Sequence, residues 1–98
     1  MVKVRKDGIF EFILKIIGSL EPEDETTVTV PAGETYAIPK GIHYVIPGPN
    51  TSIEITTDGT TWRSLGTGNA SLVISNGVNT RLSNGGTAAE DSIIITLG

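Results

Sequence analysis

Residues 26–48 read TTVTVPAGETYAIPKGIHYVIPG, and this stretch decides the fold class. Apolar residues alternate with polar ones at Val28 and Val30 and again between Ile42 and Ile46, and each run ends at Pro or Gly. A period of two turns one face of a strand toward a core, and Pro and Gly then interrupt the strand. The stretch therefore predicts three short strands joined by tight turns.

Similar short runs recur to the end of the chain, around residues 53–55, 60–63, 72–74, 78–82 and 93–97. Asp58-Gly59 and Asn76-Gly77 predict two-residue type I′ hairpin turns, because these residue types tolerate a positive φ. About seven to nine strands at this spacing predict an all-β fold, namely a single antiparallel β-sandwich or a jelly-roll-like barrel.

The composition supports a single β domain and excludes several kinds of site and partner. Among the 98 residues, the β-favouring Ile, Val, Thr, Tyr, Phe and Trp total 38, and strong helix formers total 26. The chain has no cysteine, which excludes disulfides, thiolate nucleophiles and cysteine-bound metals. A net charge of −4 and a pI near 4.8 argue against nucleic acid or an anionic membrane as the partner.

Residues 1–25 differ from the remainder in carrying ten of the 18 charged residues. We expect them to form an N-terminal strand or arm ahead of a β-sandwich body at residues 26–98, with the acidic run at 21–25 as a solvated turn. Within the arm, the apolar stretch 9–20 fits both a helical stripe and a strand alternation; the strand is favoured. It is too short for a membrane span and lacks the order of a signal peptide, so export is not expected.

No catalytic, cofactor or metal site is predicted. His43 is the only histidine, and alternation places it on the face opposite Ile42, Tyr44 and Ile46, where we expect it to be partly exposed. The carboxylates that could act in pairs stand at or beside turns, where solvated carboxylates are ordinary: Glu34, Glu54, Asp58, Glu90 and Asp91. An enzyme is therefore not expected.

Gly33, Pro39, Gly41 and His43 resemble the second motif of the cupin family, in which a histidine helps to bind a metal. The family's spacing would place that histidine one residue later, at Tyr44, and the family's first motif is missing. A one-residue shift turns a strand side chain to the other face. The resemblance is compatible with a cupin-like jelly roll that has no metal.

Three stretches carry a second resemblance: TTVTVPAG at residues 26–33, TTDGTTW at 56–62 and VISNGVNTRLSN at 73–84. Their succession resembles small β-sandwich virion proteins of tailed bacterial and archaeal viruses, the accessory kind that decorate or cement capsids. The resemblance implies a non-enzymatic virion protein, made in the host cytoplasm. It also implies a homo-oligomer, with a trimer favoured, that binds a repeated site on the major capsid protein or another virion protein.

Candidate interface residues follow from the apolar arm and from the single tryptophan. The arm is expected to dock on a partner, to exchange between subunits, or to form one more core strand. Trp62 fits either an interface or the core, with the core favoured. The candidate interface residues are Phe10, Phe12, Leu14, Ile16 and Trp62.

A carbohydrate-binding module is the alternative function. It would use Tyr36, Tyr44 and Trp62 as a stacking platform, which requires the three rings to share one face. For Arg81, an ion pair with Glu54, Glu90 or Asp91 is expected.

Overall fold

The structure, a computed structural model, describes residues 22–98, so the predictions for Phe10, Phe12, Leu14, Ile16 and the stretch 9–20 lie outside the described residues. Residues 22–98 form eight strands and no helix, which confirms the all-β prediction. The strands are β1 (Pro22–Val30), β2 (Thr35–Ala37), β3 (Gly41–Ile46), β4 (Thr51–Ile55), β5 (Arg63–Thr67), β6 (Ser71–Ser75), β7 (Thr80–Asn84) and β8 (Glu90–Leu97).

The strands form two four-stranded sheets, and all their pairings are antiparallel. The first sheet has the order β1-β8-β3-β6, and the second has the order β2-β7-β4-β5. Strand β1 pairs with β8, β2 with β7, β3 with β6 and β4 with β5, as in one long hairpin. Folding that hairpin over brings β3 beside β8 and β4 beside β7, which is the arrangement of a jelly roll.

The main core lies between the two sheets. Each strand turns alternate residues inward, as the period-two pattern predicts for Val28 and Val30. Full burial of an aliphatic side chain is worth about 1.5–3 kcal/mol, so this layer supplies most of the hydrophobic stabilisation. Its buried members are Val28, Val30, Ile38, Val45, Ile53, Val73, Leu82 and Ile94, with Tyr36 and Leu65 packed against them.

A second apolar cluster occupies the outer face of the first sheet. Tyr44, Ile95 and Leu97 are buried there, although their neighbours Val45 and Ile94 point to the inter-sheet core. The cluster arises because β3 and β8 carry apolar residues on both faces, a pattern typical of strands covered on both sides. Partly buried residues complete it: Ile42, Ile46, Leu72 and Ile93.

The prediction of two type I′ hairpin turns is wrong. Gly59 and Gly77 do have positive φ values, +84° and +99°, but no non-glycine residue within 22–98 does, so neither Asp58 nor Asn76 fits a type I′ turn. Moreover, β6 and β7 belong to different sheets, so the Asn76-Gly77 loop crosses the sandwich. The Asn76 side-chain oxygen accepts the N–H groups of Val78 and Asn79 at 2.9 and 3.0 Å, which closes the loop locally.

The loop at Asp58 joins β4 and β5, which pair antiparallel as the predicted hairpin, but it is longer than a two-residue turn. Strand β5 begins at Arg63, so the expected strand at residues 60–62 is loop. Asp58 Oδ1 accepts the N–H groups of Thr60 and Thr61, both at 2.8 Å, and the hydroxyl of Thr56 at 3.0 Å. The Asp58 carboxylate thus fixes the conformation of the loop by accepting hydrogen bonds from the loop's backbone N–H groups.

Strand β1 begins at Pro22, four residues before the expected start of the body at Thr26. The acidic run was expected to be a turn, but within it Asp24 pairs with Thr96 and Glu25 with Ile95. Acidic residues have low strand propensity, yet the ladder to β8 extends through them while their side chains stay exposed.

Candidate interaction surfaces

Three of the four edge strands within residues 22–98 carry features that discourage pairing with another chain. An edge strand presents unpaired N–H and C=O groups, and charge, proline, short length or irregularity blocks their use. Strand β1 begins with Pro22 and three exposed acidic residues. Strand β2 has only three residues. Strand β5 begins with the charged Arg63, and its pairing with β4 is irregular between Ser52 and Glu54.

Strand β6, whose sequence is SLVIS, has neither charge nor proline. Within residues 22–98, β3 is its only strand partner, so its other edge is open in the sense that no described strand pairs with it. The Ile74 side chain on this strand is 72% exposed, and Val78 in the following loop is 75% exposed. Strand β6 therefore combines an open backbone edge with exposed apolar side chains, which is the composition of a docking edge.

The outer face of the second sheet is polar and carries an ion pair. Glu54 and Arg81 lie directly opposite each other on β4 and β7, and Arg81 Nε donates to Glu54 Oε1 at 2.7 Å. The Arg81 guanidinium also lies 3.9 Å from the centre of the Trp62 ring. Of the three partners expected for Arg81, the structure selects Glu54, because register places the two side chains on the same face.

Trp62 belongs to neither apolar cluster. It is half-buried in the loop before β5, with the cation of Arg81 over its ring. The structure thus departs from the favoured expectation of a tryptophan inside the core. Its contribution to an interface stays a prediction.

The three aromatic residues of the expected carbohydrate platform do not share a face. Tyr36 packs against the core between the sheets, and Tyr44 is buried on the outer face of the first sheet. Trp62 contacts Arg81 on the second sheet. A stacking platform needs adjacent exposed rings, and these three lie on three different surfaces.

His43 is buried, so the prediction that it is partly exposed is wrong. It does lie on the face opposite Tyr44, as alternation predicts. Its Nε2–H donates to the Pro39 carbonyl at 2.8 Å, and its Nδ1 forms a hydrogen bond of 3.0 Å with the Thr96 hydroxyl. The ring therefore joins the β2–β3 turn to β8, and neither partner is a carboxylate.

Glu90 was expected to be a solvated carboxylate, but it holds the loop between β3 and β4. Its carboxylate accepts the Asn50 N–H at 2.8 Å, the Asn50 side-chain amide at 2.7 Å and the Thr51 hydroxyl at 2.9 Å. Desolvation raises the pKa of Glu90, but these hydrogen bonds lower it by more, so the pKa lies below its ordinary value.

Asp58 has a pKa far below its ordinary value, because the N–H groups of Thr61 and Thr60 and the Thr56 hydroxyl stabilise the charged form. Sequence reasoning missed the loop-holding role of both carboxylates. For Asp58, an Asp followed within three positions by Thr60 and Thr61 in a Gly-containing loop was an available signal. For Glu90 no local signal exists, because its partners are about forty positions away.

A shallow cavity of about 230 Å³ lies beside the loop at Asp58. Ile55 and Arg63 flank it, with threonines between them. Because the Asp58 carboxylate is engaged by its own loop, the cavity offers one cation and several hydroxyls, which is a weakly polar surface without an acid–base pair.

Within residues 22–98 there is no group of three or more His, Asp or Glu side chains that could hold a metal ion. The same part of the chain contains no helix long and apolar enough to cross a membrane. Comparison with protein-family models, with curated proteins and with solved structures found no match.

Proposed function

We propose that the protein is a non-enzymatic structural component of a virion, which associates with copies of itself and decorates or cements a capsid. In this proposal it binds a repeated site on the major capsid protein or another virion protein as a homo-oligomer, with a trimer favoured. The resemblance of residues 26–33, 56–62 and 73–84 to accessory virion proteins supports the viral setting.

The surface of strand β6 is the observation that supports self-association. Its open edge has no charge or proline, and Ile74 and Val78 expose apolar surface beside it. Surfaces of this kind pair with an extended segment of a partner through main-chain hydrogen bonds, and the adjacent apolar side chains add burial. The acidic edge of β1, in the same sheet, would repel a second copy of itself and so leaves β6 as the edge for assembly.

Light scattering over a dilution series tests the self-association. We expect the wild-type protein to have a mass of a small multiple of 10.3 kDa, with three chains favoured. Ile74→Lys places a charge on the β6 edge and should give a monomer at the same concentration. Ile55→Lys adds the same charge at an exposed isoleucine of the second sheet and should keep the wild-type mass.

A wild-type monomer at every concentration would contradict self-association, and so would an unchanged mass for Ile74→Lys. The virion setting has its own test, which is mass spectrometry of virus particles purified from the host that carries this sequence. We expect the chain in the particles at a copy number that is a fixed ratio to the major capsid protein. Its absence from the particles would contradict the proposal.

A further inference from the structure

Three sites within residues 22–98 have an asparagine or aspartate followed by glycine: Asp58-Gly59, Asn76-Gly77 and Asn84-Gly85. At such a site the backbone nitrogen of the glycine can attack the side-chain carbonyl carbon of the preceding residue, because glycine has no side chain to obstruct the approach. This reaction makes asparagine one of the heat-labile residue types in proteins. The three sites carry the same local signal, but their surroundings in the fold differ.

Asn84-Gly85 is held by distant parts of the fold. The Asn84 side chain is 1% exposed, and its Nδ2 donates to the carbonyls of Val30 and Ala88, both at 2.9 Å. The Gly85 N–H donates to the Asn50 carbonyl at 3.0 Å. The amide that would leave and the nitrogen that would attack are therefore both engaged, and their hydrogen bonds must open before they can react.

Asp58-Gly59 resists the reaction for a different reason. The N–H groups of Thr61 and Thr60 and the Thr56 hydroxyl hold the pKa of Asp58 well below its ordinary value, so the side chain is ionised at neutral pH. A carboxylate repels the lone pair of an attacking nitrogen, and only the protonated acid has a good leaving group. The reactive form of Asp58 is therefore scarce.

Asn76-Gly77 is the open site of the three. Asn76 is exposed in the loop between β6 and β7, and its Nδ2 has no hydrogen-bond acceptor within residues 22–98. Its Oδ1 accepts the N–H groups of Val78 and Asn79 at 2.9 and 3.0 Å. When a nucleophile adds to Cγ, negative charge develops on Oδ1, and donors already aimed at this oxygen stabilise that charge. In the same part of the chain, Asn84 Oδ1 accepts one such N–H group.

We propose that Asn76 is a site of spontaneous deamidation and that the fold protects Asn84. The Gly77 nitrogen loses its proton to solvent hydroxide and bonds to Asn76 Cγ; the Cγ–Nδ2 bond breaks, and Nδ2 takes a proton from water and leaves as ammonia. Water then opens the resulting succinimide ring at either carbonyl, which gives aspartate or isoaspartate. The Gly77 N–H donates to Ser75 Oγ at 3.0 Å, so this hydrogen bond opens before the attack.

The modification adds a negative charge beside an apolar surface. Ile74 on β6 and Val78 in the loop are exposed and flank Asn76 in the sequence. An aspartate at this position keeps an oxygen that accepts the loop N–H groups, whereas an isoaspartate lengthens the backbone and displaces them. The inference concerns a single chain and does not depend on the proposed function.

Peptide mapping by mass spectrometry of the full-length protein tests the proposal. Trypsin cleaves after Arg81, which places Asn76 and Asn84 in different peptides. The folded protein is incubated in mildly alkaline buffer at low concentration, so that association does not shield the loop. We expect Asn76 to convert at least about tenfold faster than Asn84, because the hydrogen bonds that hold Asn84 must open first.

The same incubation in guanidinium chloride gives the reference rates. Without the fold, both asparagines simply precede glycine, so we expect them to convert at similar rates. Asn76→Ser removes the reacting amide and should abolish conversion in the peptide that ends at Arg81, which also contains Asn69 and Asn79. Conversion that persists in this variant would overturn the proposal. Equal rates at the two sites in the folded protein would also overturn it, and so would an Asn76 that stays unconverted while the denatured sample reacts. A monomer by light scattering would contradict the proposed function and leave this inference intact.

Discussion

The two outer faces of the sandwich have opposite chemistry. On the first sheet the outer face is apolar, and Tyr44, Ile95 and Leu97 are buried in it. On the second sheet the outer face carries the Glu54–Arg81 ion pair, with Trp62 against the guanidinium. The first sheet is therefore apolar on both faces, whereas the second sheet is apolar only on the face toward the core.

The strand sequences account for the difference. Strands β3 and β8 read GIHYVI and EDSIIITL, and their apolar residues occupy both faces. Strands β4 and β7 read TSIEI and TRLSN, and their outward positions are polar. The central strands of the first sheet therefore bury side chains on both faces, whereas those of the second sheet bury them on the inner face.

Truncation of Ile95 should break the outer cluster and give the largest effect. We expect Ile95→Ala to lower the free energy of unfolding by about 2–4 kcal/mol, because a buried aliphatic side chain is removed and a cavity remains. Ile53→Ala, in the core between the sheets, is the matched control and should cost a similar amount. Urea unfolding monitored by circular dichroism measures both. A loss for Ile95→Ala below about 0.5 kcal/mol, typical of surface sites, would show that the outer face is open to water.

Lowering the pH should weaken the polar contacts that stabilise the fold and leave the contribution of its apolar contacts unchanged. The pKa of Glu90 is lower in the folded protein than its ordinary value, so its stabilising contribution is present above the unfolded-state pKa and is lost as the pH falls through the folded-state pKa. We expect the urea midpoint of the wild-type protein to fall between about pH 6 and about pH 3, and the midpoint of Glu90→Gln to fall less.

Two further variants control for this prediction. Asn50→Ala removes the side-chain amide hydrogen bond to Glu90, one of the three that its carboxylate accepts, and should weaken the acid dependence in the same direction. Ile95→Ala should lower the midpoint by the same amount at both pH values, because its effect is apolar. An acid dependence of Glu90→Gln equal to that of the wild type would rule out this role for Glu90.

The ion pair on the second sheet should contribute little to the free energy of unfolding, in contrast to the buried apolar residues of the first sheet. In a double-mutant cycle of Glu54→Gln and Arg81→Met, we expect a coupling of about 0.5–1 kcal/mol, because both side chains are partly solvated. Arg81→Met should also change the emission of Trp62, the only tryptophan. A coupling above about 2 kcal/mol would mark the pair as desolvated and contradict a water-exposed face.

Substitution of Ile74 should have the smallest effect on the folding of one chain. Ile74 lies on the same sheet as Ile95 but is 72% exposed, so Ile74→Thr should change the free energy of unfolding by no more than about 0.5 kcal/mol. The measurement is made at low protein concentration, where association does not add to stability. A loss comparable to that of Ile95→Ala would contradict the exposure of Ile74.

Alternation along the chain predicted the fold class and much of the core. Val28, Val30 and the two faces of β3 could be assigned because a strand has a period of two and the chain contains few conflicting signals. The candidate surface could not be predicted in the same way. Whether SLVIS is an edge or a central strand depends on the order of strands in the sheet, which residues 71–75 do not encode locally.

The errors have a common physical cause. Asn76-Gly77 has the composition of a hairpin turn, but its two flanking strands find their partners in different sheets, so the loop adopts another conformation. His43 was expected near the surface, yet the Pro39 carbonyl and the Thr96 hydroxyl satisfy both ring nitrogens and allow burial. In each case a contact between distant residues outweighs a local preference.

By itself, the sequence determined that this protein is all-β, that its strands are short, and which residues on most strands are apolar. These properties follow from backbone geometry and side-chain type, which act over a few positions. Only the tertiary structure decided the jelly-roll order, the Arg81–Glu54 pairing, the loop-holding role of Glu90 and the open edge at β6. Those features depend on which distant strands meet and in what register, because hydrogen bonds and burial are gained only when both partners are in place.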